Sequence, residues 1–206
     1  PVKPSYVTLV GDTTLDPRGI KADWTDPQLM LTDLVFVDRY QGHIPSDLTF
    51  ALVSGQDILP DLAVGRIAAR SEEELRSAID KIIRYDENQL LSFGWMENIL
   101  FVADRTDPDA GDFCHENQRL GGDHLPMSLN PIFLCVDNYP AGGPELRNDM
   151  LPYLNNDGVT MLLYRGHGGV GYWDTIFSTD HMSLLTNEKP FVTVSGECLD
   201  GHFAYP

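Results

Sequence analysis

Short apolar runs recur along the chain, and most of them end in turn-forming residues. The runs are rich in β-branched residues, which favours strands over helices at these lengths. They predict buried strands at residues 6–10, 99–103, 132–136, 159–164 and 191–194.

Helical patterns separate these runs. Ser71 and Glu74 form a capping-box sequence, in which the serine accepts from a free amide and the glutamate reaches back. Apolar residues then continue at helical spacing as Leu75, Ile79, Ile82 and Ile83. A second helix is predicted to begin near Asp112, and a third to cover residues 144–154 with a kink or an early end at Pro152.

The alternation of strands with helices predicts an α/β fold, with a mostly parallel sheet covered by helices on both faces. The pattern restarts after residues 88–94, so we predict an N-terminal α/β subdomain over residues 1–90 and a second subdomain over residues 91–206. Residues 11–34 have little periodicity and predict a long surface loop. Both ends of the chain are abrupt, and we expect each subdomain to continue beyond them.

The charge of the chain narrows the choice of partners. Lys and Arg number 14 against 31 Asp and Glu, a formal charge of −17 that would repel nucleic acid or an anionic membrane. No apolar run reaches the roughly 20 residues that a membrane span requires, so membrane insertion is not expected. The sequence makes no prediction of oligomeric state. Its three cysteines are too few for a disulfide framework, and at least one is free unless it pairs between chains.

Two predicted strand ends carry reactive side chains. His167 stands between Gly166 and Gly168 just after one strand, and Cys198 follows the last strand. Ligands of open parallel sheets bind beyond the carboxyl ends of the strands. If these two strands are neighbours, the imidazole and the thiol lie side by side.

That pair would suit acyl transfer. A histidine that titrates near neutrality can take the proton of a thiol and raise its thiolate fraction. The backbone amides of Gly168 and Cys198 would then donate to the oxyanion of a tetrahedral intermediate. In the alternative, His167 caps a turn and Cys198 fills a core position. Two reactive residue types at strand ends in glycine settings favour catalysis.

The motifs in order along the chain resemble the gingipain family, peptidase family C25. The resemblance rests on Tyr6 to Asp12, Gly65-Arg66, His115-Glu116-Asn117, Gly166-His167-Gly168, Trp173, Pro190-Phe191 and Cys198-x-x-Gly201. It implies a caspase-like sheet in the second half, preceded by a smaller related subdomain. It also implies a cysteine endopeptidase that hydrolyses protein or peptide substrates without a cofactor and is secreted or on the bacterial surface.

The resemblance suggests roles for further residues. Asp112 matches the acidic floor of the specificity pocket in gingipains that cleave after arginine, although it is equally suited to cap a helix. Trp173 is a candidate wall of the substrate cleft, or a core residue. Asp104 and Asp107 are both candidates for the acid that orients the histidine. Glu197 stands where the best-known members have a small residue, and its charge would disfavour a thiolate.

Other functions remain as alternatives. Asp107, Asp109 and Asp112 form an acidic cluster, and gingipain-like domains bind structural calcium, but the cluster lacks the glycine and distal glutamate of an EF-hand and also fits a surface loop. His115 and His124 match no compact metal-ligand spacing, so a metal-dependent hydrolase is disfavoured and no metal is predicted at the catalytic centre. The remaining alternative is a gingipain-like binding module with weak or no activity, for which Glu197 is the best argument.

Overall fold

The computed structural model describes residues 4–21, 29–89 and 94–205. The chain divides into two compact units, Pro1–Asp80 with Gly201–Pro206, and Lys81–Asp200. The predicted boundary near residues 88–94 lies later along the chain, and residues 90–93 of it fall outside the described residues. The division at residue 90 therefore stays a prediction.

The first unit is a small α/β arrangement. In chain order it contains β1 (Tyr6–Val10), β2 (Asp33–Asp38), β3 (Gly42–Ser46), a short 3-10 helix (Leu48–Ala51), β4 (Ala63–Ile67) and the start of α1 (Glu72–Gln89). β1 pairs in parallel with β4, and β2 pairs antiparallel with β3. The strand at residues 6–10 is confirmed, whereas the sequence analysis missed the other three. Of the predicted loop at residues 11–34, residues 22–28 lie outside the described part.

Two polar arrangements hold this unit together. Arg66 has a nearly buried side chain that meets Asp47 through two hydrogen bonds of 2.7 and 2.8 Å and donates to the carbonyl of Gly11 at 2.6 Å. At the start of α1, Ser71 Oγ accepts from the amide of Glu74, as predicted, but the Glu74 carboxylate accepts from the amide of Arg70. The predicted capping box is therefore only half formed, because the glutamate reaches one residue too far back.

The second unit carries the larger sheet. In chain order its elements are a 3-10 helix (Gly94–Glu97), β5 (Asn98–Ala103), α2 (Phe113–Asp123), β6 (Asn130–Cys135), a 3-10 turn (Val136–Asn138), α3 (Gly143–Pro152), a π-helical turn (Tyr153–Asp157), β7 (Met161–Arg165), β8 (Gly168–Gly169), β9 (Tyr172–Trp173), β10 (Phe177–Ser178), a 3-10 helix (Thr179–Leu184) and β11 (Val192–Gly196). The sheet has the order β11-β7-β5-β6, with every pair parallel. The α/β prediction is confirmed, as are the second and third helices.

Helices cover both faces of this sheet. On one face Leu146 and Met150 of α3 join a buried cluster with Leu100 and Tyr164. On the other face Gly121 of α2 packs so closely on the sheet that a Cβ there would lie 2.6 Å from the ring of Phe133. Side chains alternate between faces along a strand, so a strand covered in this way is apolar throughout. β5 shows the consequence, because residues 99–103 are all buried.

The prediction of buried strands is wrong for β1 and β11. Tyr6 of β1 is 80% exposed, and Val192 and Val194 of β11 are 41% and 44% exposed. The reason is pairing on one side, because within the described residues β1 pairs with β4 alone and β11 with β7 alone. An apolar run cannot by itself distinguish a central strand from an edge strand.

A disulfide joins Cys114 in α2 to Cys135 at the end of β6, with 5.6 Å between their Cα atoms. The cysteine count alone did not predict this pairing. Cys198 is left as the free cysteine of the chain, and it is exposed.

Candidate active site

The candidate pair is positioned by the contact between β7 and β11. These parallel neighbours place Arg165 opposite Gly196. His167 and Cys198 each follow that matched pair by two residues, so they leave the same edge of the sheet from adjacent strands. A backbone hydrogen bond of 3.3 Å from Gly166 to Gly196 extends the pairing toward them.

Three hydrogen bonds fix the backbone of His167. Its amide donates to Asp104 Oδ2 at 3.1 Å, and its carbonyl accepts from the Tyr164 hydroxyl at 2.5 Å and from the Asp174 amide at 3.0 Å. A side chain at Gly166 would collide with Asp104, because a Cβ would lie 2.2 Å from the Asp104 Cβ. Burial raises the pKa of Asp104, whose carboxylate contacts the histidine backbone and not its ring.

The imidazole ring of His167 meets the second candidate acid. Its Nε2 lies 3.2 Å from Asp107 Oδ2, and its ring packs edge-on against Phe113. Asp107 is held in turn, because its Oδ1 accepts from the amides of Asp109 and Ala110 at 2.7 and 2.9 Å. These amides, with a smaller contribution from His167, keep the pKa of Asp107 below its usual value. Of the two candidates, Asp107 therefore has the geometry to orient the ring.

Cys198 presents an exposed thiol beyond the end of β11. The alternative that it fills a core position is therefore wrong. Within the described residues no hydrogen bond joins its sulphur to either ring nitrogen of His167. Catalytic hydrogen bonds are often long in unliganded enzymes and form fully on substrate binding. The absence of this bond is therefore compatible with a working pair.

Glu197 lies against the glycine that follows His167. A Cβ at Gly168 would be 2.4 Å from Glu197 Oε2, which is buried without a hydrogen-bond partner among the described residues. The other oxygen, Oε1, accepts from the amide of Leu199 at 3.0 Å. Burial raises the pKa of Glu197, and nearby Asp200 adds to the shift. The carboxyl is therefore neutral over more of the acidic range than a solvated glutamate, which weakens its expected effect on a Cys198 thiolate.

Trp173 packs against the core and lines a cavity. Its ring stacks on the buried Tyr164 at 4.5 Å and also lines a cavity of about 880 Å³ beside β11. Its indole N–H lies 2.7 Å from Asp200 Oδ2 and 2.9 Å from Ser195 Oγ. Sequence reasoning missed Asp200 and Ser195 as members of the site, although both lie within three residues of Cys198.

Asp112 caps α2 and faces a second cavity. Its Oδ1 accepts from the amide of His115 at 2.9 Å, so the predicted capping role is present. It also lines a cavity of about 570 Å³ at the carboxyl ends of β7 and β11. Arg165 and Glu116 line the same cavity, and the sequence analysis did not anticipate the guanidinium. A basic ligand side chain would be attracted there by Asp112 and Glu116 and repelled by Arg165.

The candidate metal ligands do not form a cluster in the described part of the chain. No group of three or more His, Cys, Asp or Glu side chains is placed there to hold an ion. His115 and His124 stand near opposite ends of α2. The carboxylates of Asp107 and Asp112 already accept backbone hydrogen bonds. Structural calcium stays a prediction.

The chain has recognisable relatives among known proteins. The sequence model of Peptidase family C25 matches residues 1–206, the whole chain. The chain belongs to peptidase family C25. Gingipain R2 of Porphyromonas gingivalis is 29% identical over 170 residues, which cover 79% of this chain and 22% of that protein. Lys-gingipain W83 of the same organism is 26% identical over 168 residues, 78% of this chain and 9% of that protein.

The fold of this C25 chain also matches a solved structure. The crystal structure of the Arg-specific cysteine proteinase gingipain R superposes with a TM-score of 0.69 and 23% identity, over 97% of this chain and 41% of that one. The predicted caspase-like fold and gingipain resemblance are confirmed. The chain spans about a fifth of the length of Gingipain R2. Among its described helices, none has the length and apolar character needed to cross a membrane.

The position of Glu197 gives a pH-dependent prediction. Glu197→Gln should leave alkylation of Cys198 unchanged near pH 4, where the parent carboxyl is neutral. As the pH rises and the parent carboxylate ionises, it should increasingly disfavour the thiolate, so the variant should react about 3- to 10-fold faster near pH 7. Alkylation rates measured across this range on both proteins give the comparison. Equal rates at every pH would show that the carboxylate does not act on the thiol.

Proposed function

We propose that this chain carries the catalytic centre of a cysteine endopeptidase, with Cys198 as nucleophile and His167 as general base. The observation that supports it most is the matched register of β7 and β11, which brings the histidine and the exposed thiol to one sheet edge. Membership of peptidase family C25 supports the same chemistry. Protein or peptide chains are the proposed substrates.

The proposed reaction has two halves. His167 takes the thiol proton, and the Cys198 sulphur attacks the peptide carbonyl carbon while the amides of Gly168 and Cys198 stabilise the oxyanion. The imidazolium then protonates the leaving amine as the C–N bond breaks and leaves a thioester. In the second half His167 deprotonates a water molecule, which attacks the thioester, and the protonated histidine returns its proton to the departing sulphur. Asp107 orients the ring throughout.

A secreted or cell-surface location belongs to the proposal. The disulfide between Cys114 and Cys135 supports it, because such bonds persist in oxidising compartments and are rare in the cytosol. The acidic composition agrees with a protein that does not associate with nucleic acid. The chemistry requires no cofactor, and structural calcium would act on stability alone.

Replacement of either member of the pair tests the proposed function. In the full-length protein, Cys198→Ala and His167→Ala should each lower kcat/KM on a peptide substrate by about 1,000-fold or more, and the double variant should be no worse than the poorer single one. Circular dichroism and thermal unfolding should be unchanged, because both side chains are exposed.

His124→Ala is the matched control, since it removes an imidazole from the far end of α2. It should retain parental activity, and a zinc chelator should leave the parent unaffected. Retention of most activity by Cys198→Ala would contradict the proposal. A parent protein with no turnover, in a folded state, would favour the alternative of an inactive binding module, for which the charge of Glu197 next to Cys198 is the argument.

The finer proposal is a preference for arginine before the scissile bond, with Asp112 as its determinant. Asp112 is exposed in the free cavity, and a substrate guanidinium that enters would pair with its carboxylate and shield it from solvent. Two features of the cavity limit this preference. Asp112 already accepts one backbone hydrogen bond, and Arg165 adds a positive charge to the same lining.

Matched peptides with Arg, Lys, Leu or Asp at that position test the specificity. Asp112→Ser removes the charge but keeps a helix-capping side chain. It should reduce cleavage after arginine by roughly 30-fold or more, a loss of about 2 kcal/mol or above, and leave cleavage after leucine unchanged. Arg165→Ala should raise the ratio of arginine to leucine cleavage. A parent that prefers Leu or Asp, or an Asp112→Ser variant that keeps its arginine preference, would remove Asp112 from the specificity argument.

A further inference from the structure

One hydrogen-bonded cluster links the segment that carries His167 to the segment that carries Cys198. On the histidine side the member is Trp173, which stands opposite Gly168 in the antiparallel pairing of β8 with β9. The next residue, Asp174, donates its amide to the carbonyl of His167 at 3.0 Å. The Trp173 segment is therefore tied closely to the backbone of His167 and of the residue that follows it.

On the cysteine side the members are Ser195 and Asp200, which stand three residues before and two residues after Cys198. A single carboxylate oxygen, Asp200 Oδ2, lies 2.7 Å from the indole nitrogen of Trp173 and is also hydrogen-bonded to the Ser195 hydroxyl. The indole nitrogen is 2.9 Å from Ser195 Oγ. In the described part of the chain, these are the side-chain hydrogen bonds that join the region after β7 to the cysteine segment.

The indole is a firm anchor for this cluster. Its ring lies nearly parallel to the ring of Tyr164 at 4.5 Å, and Phe177 packs beside it at 6.2 Å. Tyr164 is fully buried in the core, and its hydroxyl donates to the carbonyl of His167. A change in the direction of the indole N–H would therefore disturb buried packing, and the cysteine segment is held against a rigid surface.

We propose that Asp200, acting through Trp173 and Ser195, is a positioning residue that fixes the Cys198 thiol relative to the His167 imidazole. The inference rests on the proposed function for its catalytic readout. An ionised carboxylate two residues from the nucleophile would by its charge alone disfavour the thiolate. If Asp200 acts by positioning, its replacement should make Cys198 less reactive. If it acts by its charge alone, replacement should make Cys198 more reactive, so the two roles can be separated.

Four substitutions in the full-length protein make that separation. Asp200→Asn removes the charge but keeps an acceptor, while Asp200→Leu removes both and keeps a side chain that branches at Cγ. Trp173→Phe removes the N–H donor and keeps an aromatic ring on Tyr164, and Ser195→Ala removes the hydroxyl alone. The control is Asp149→Asn, a carboxylate of the same unit that accepts from the hydroxyl of Tyr139 at 2.5 Å and belongs to neither segment.

Positioning predicts a defined order of activities. Trp173→Phe and Asp200→Leu should each lower kcat/KM by about 10- to 100-fold, the scale of a misplacement of about 1 Å, with the loss in kcat and little change in KM. Asp200→Asn should lose less than about 5-fold, and the control should match the parent. Combining Trp173→Phe with Asp200→Leu should cost no more than the poorer single change, because both break the same bond.

A second readout does not need turnover. Trp173→Phe leaves every charge in place, so slower alkylation of Cys198 near pH 6 would report the loss of its histidine partner. Additive losses in the double variant, equal loss in Asp200→Asn and Asp200→Leu, or activities that match the parent would each overturn the proposal. If the parent hydrolyses no peptide, the proposed function fails on its own, and the alkylation rates still decide whether the cluster positions the thiol. Should Trp173→Phe fail to fold, Ser195→Ala and the two Asp200 variants carry the same comparison.

Discussion

The parallel pairing of β7 with β11 is the constraint on which the site depends. The register of this pair places Arg165 opposite Gly196. A shift by one residue would turn every side chain of β11 to the other face of the sheet. Because both strands end at the same level, two short segments leave the sheet together, one with an imidazole and one with a thiol. The strand register sets where the imidazole and the thiol lie, and the surrounding carboxylates only orient or polarise them.

Acidic side chains near the site have separate tasks although they belong to one strongly acidic chain. Asp104 accepts a hydrogen bond from the backbone amide of His167, and Asp107 contacts its imidazole ring. Asp200 accepts from the indole, while Glu197 keeps one oxygen buried beside Gly168. Every carboxylate close to a thiolate opposes it electrostatically. Burial weakens this repulsion at Glu197, because it raises the pKa of the carboxyl and so keeps it neutral up to a higher pH.

Sequence alone could predict the strands of the larger sheet, because each contains a short apolar run, as residues 99–103 do. It could also place His167 and Cys198 just beyond the ends of strands, because each follows an apolar run near glycines. Their catalytic roles stay predictions. The hairpin of β2 and β3 was missed although residues 34–37 form a continuous apolar run, because the predicted loop over residues 11–34 overlaps the start of β2. The contact of Asp200 with Trp173 and the position of Arg165 in the cavity depend on side-chain direction. The pairing of Cys114 with Cys135 depends on how α2 packs on β6. None of these leaves a periodic signal.

Active-site titration of the full-length protein with a thiol-directed peptidyl inhibitor tests the central claim most directly. The account predicts one label per chain, located on Cys198 by peptide mass mapping, with slower labelling when His167 is replaced by alanine and no effect of a zinc chelator. An inhibitor that leaves Cys198 unmodified while peptide hydrolysis continues would contradict it.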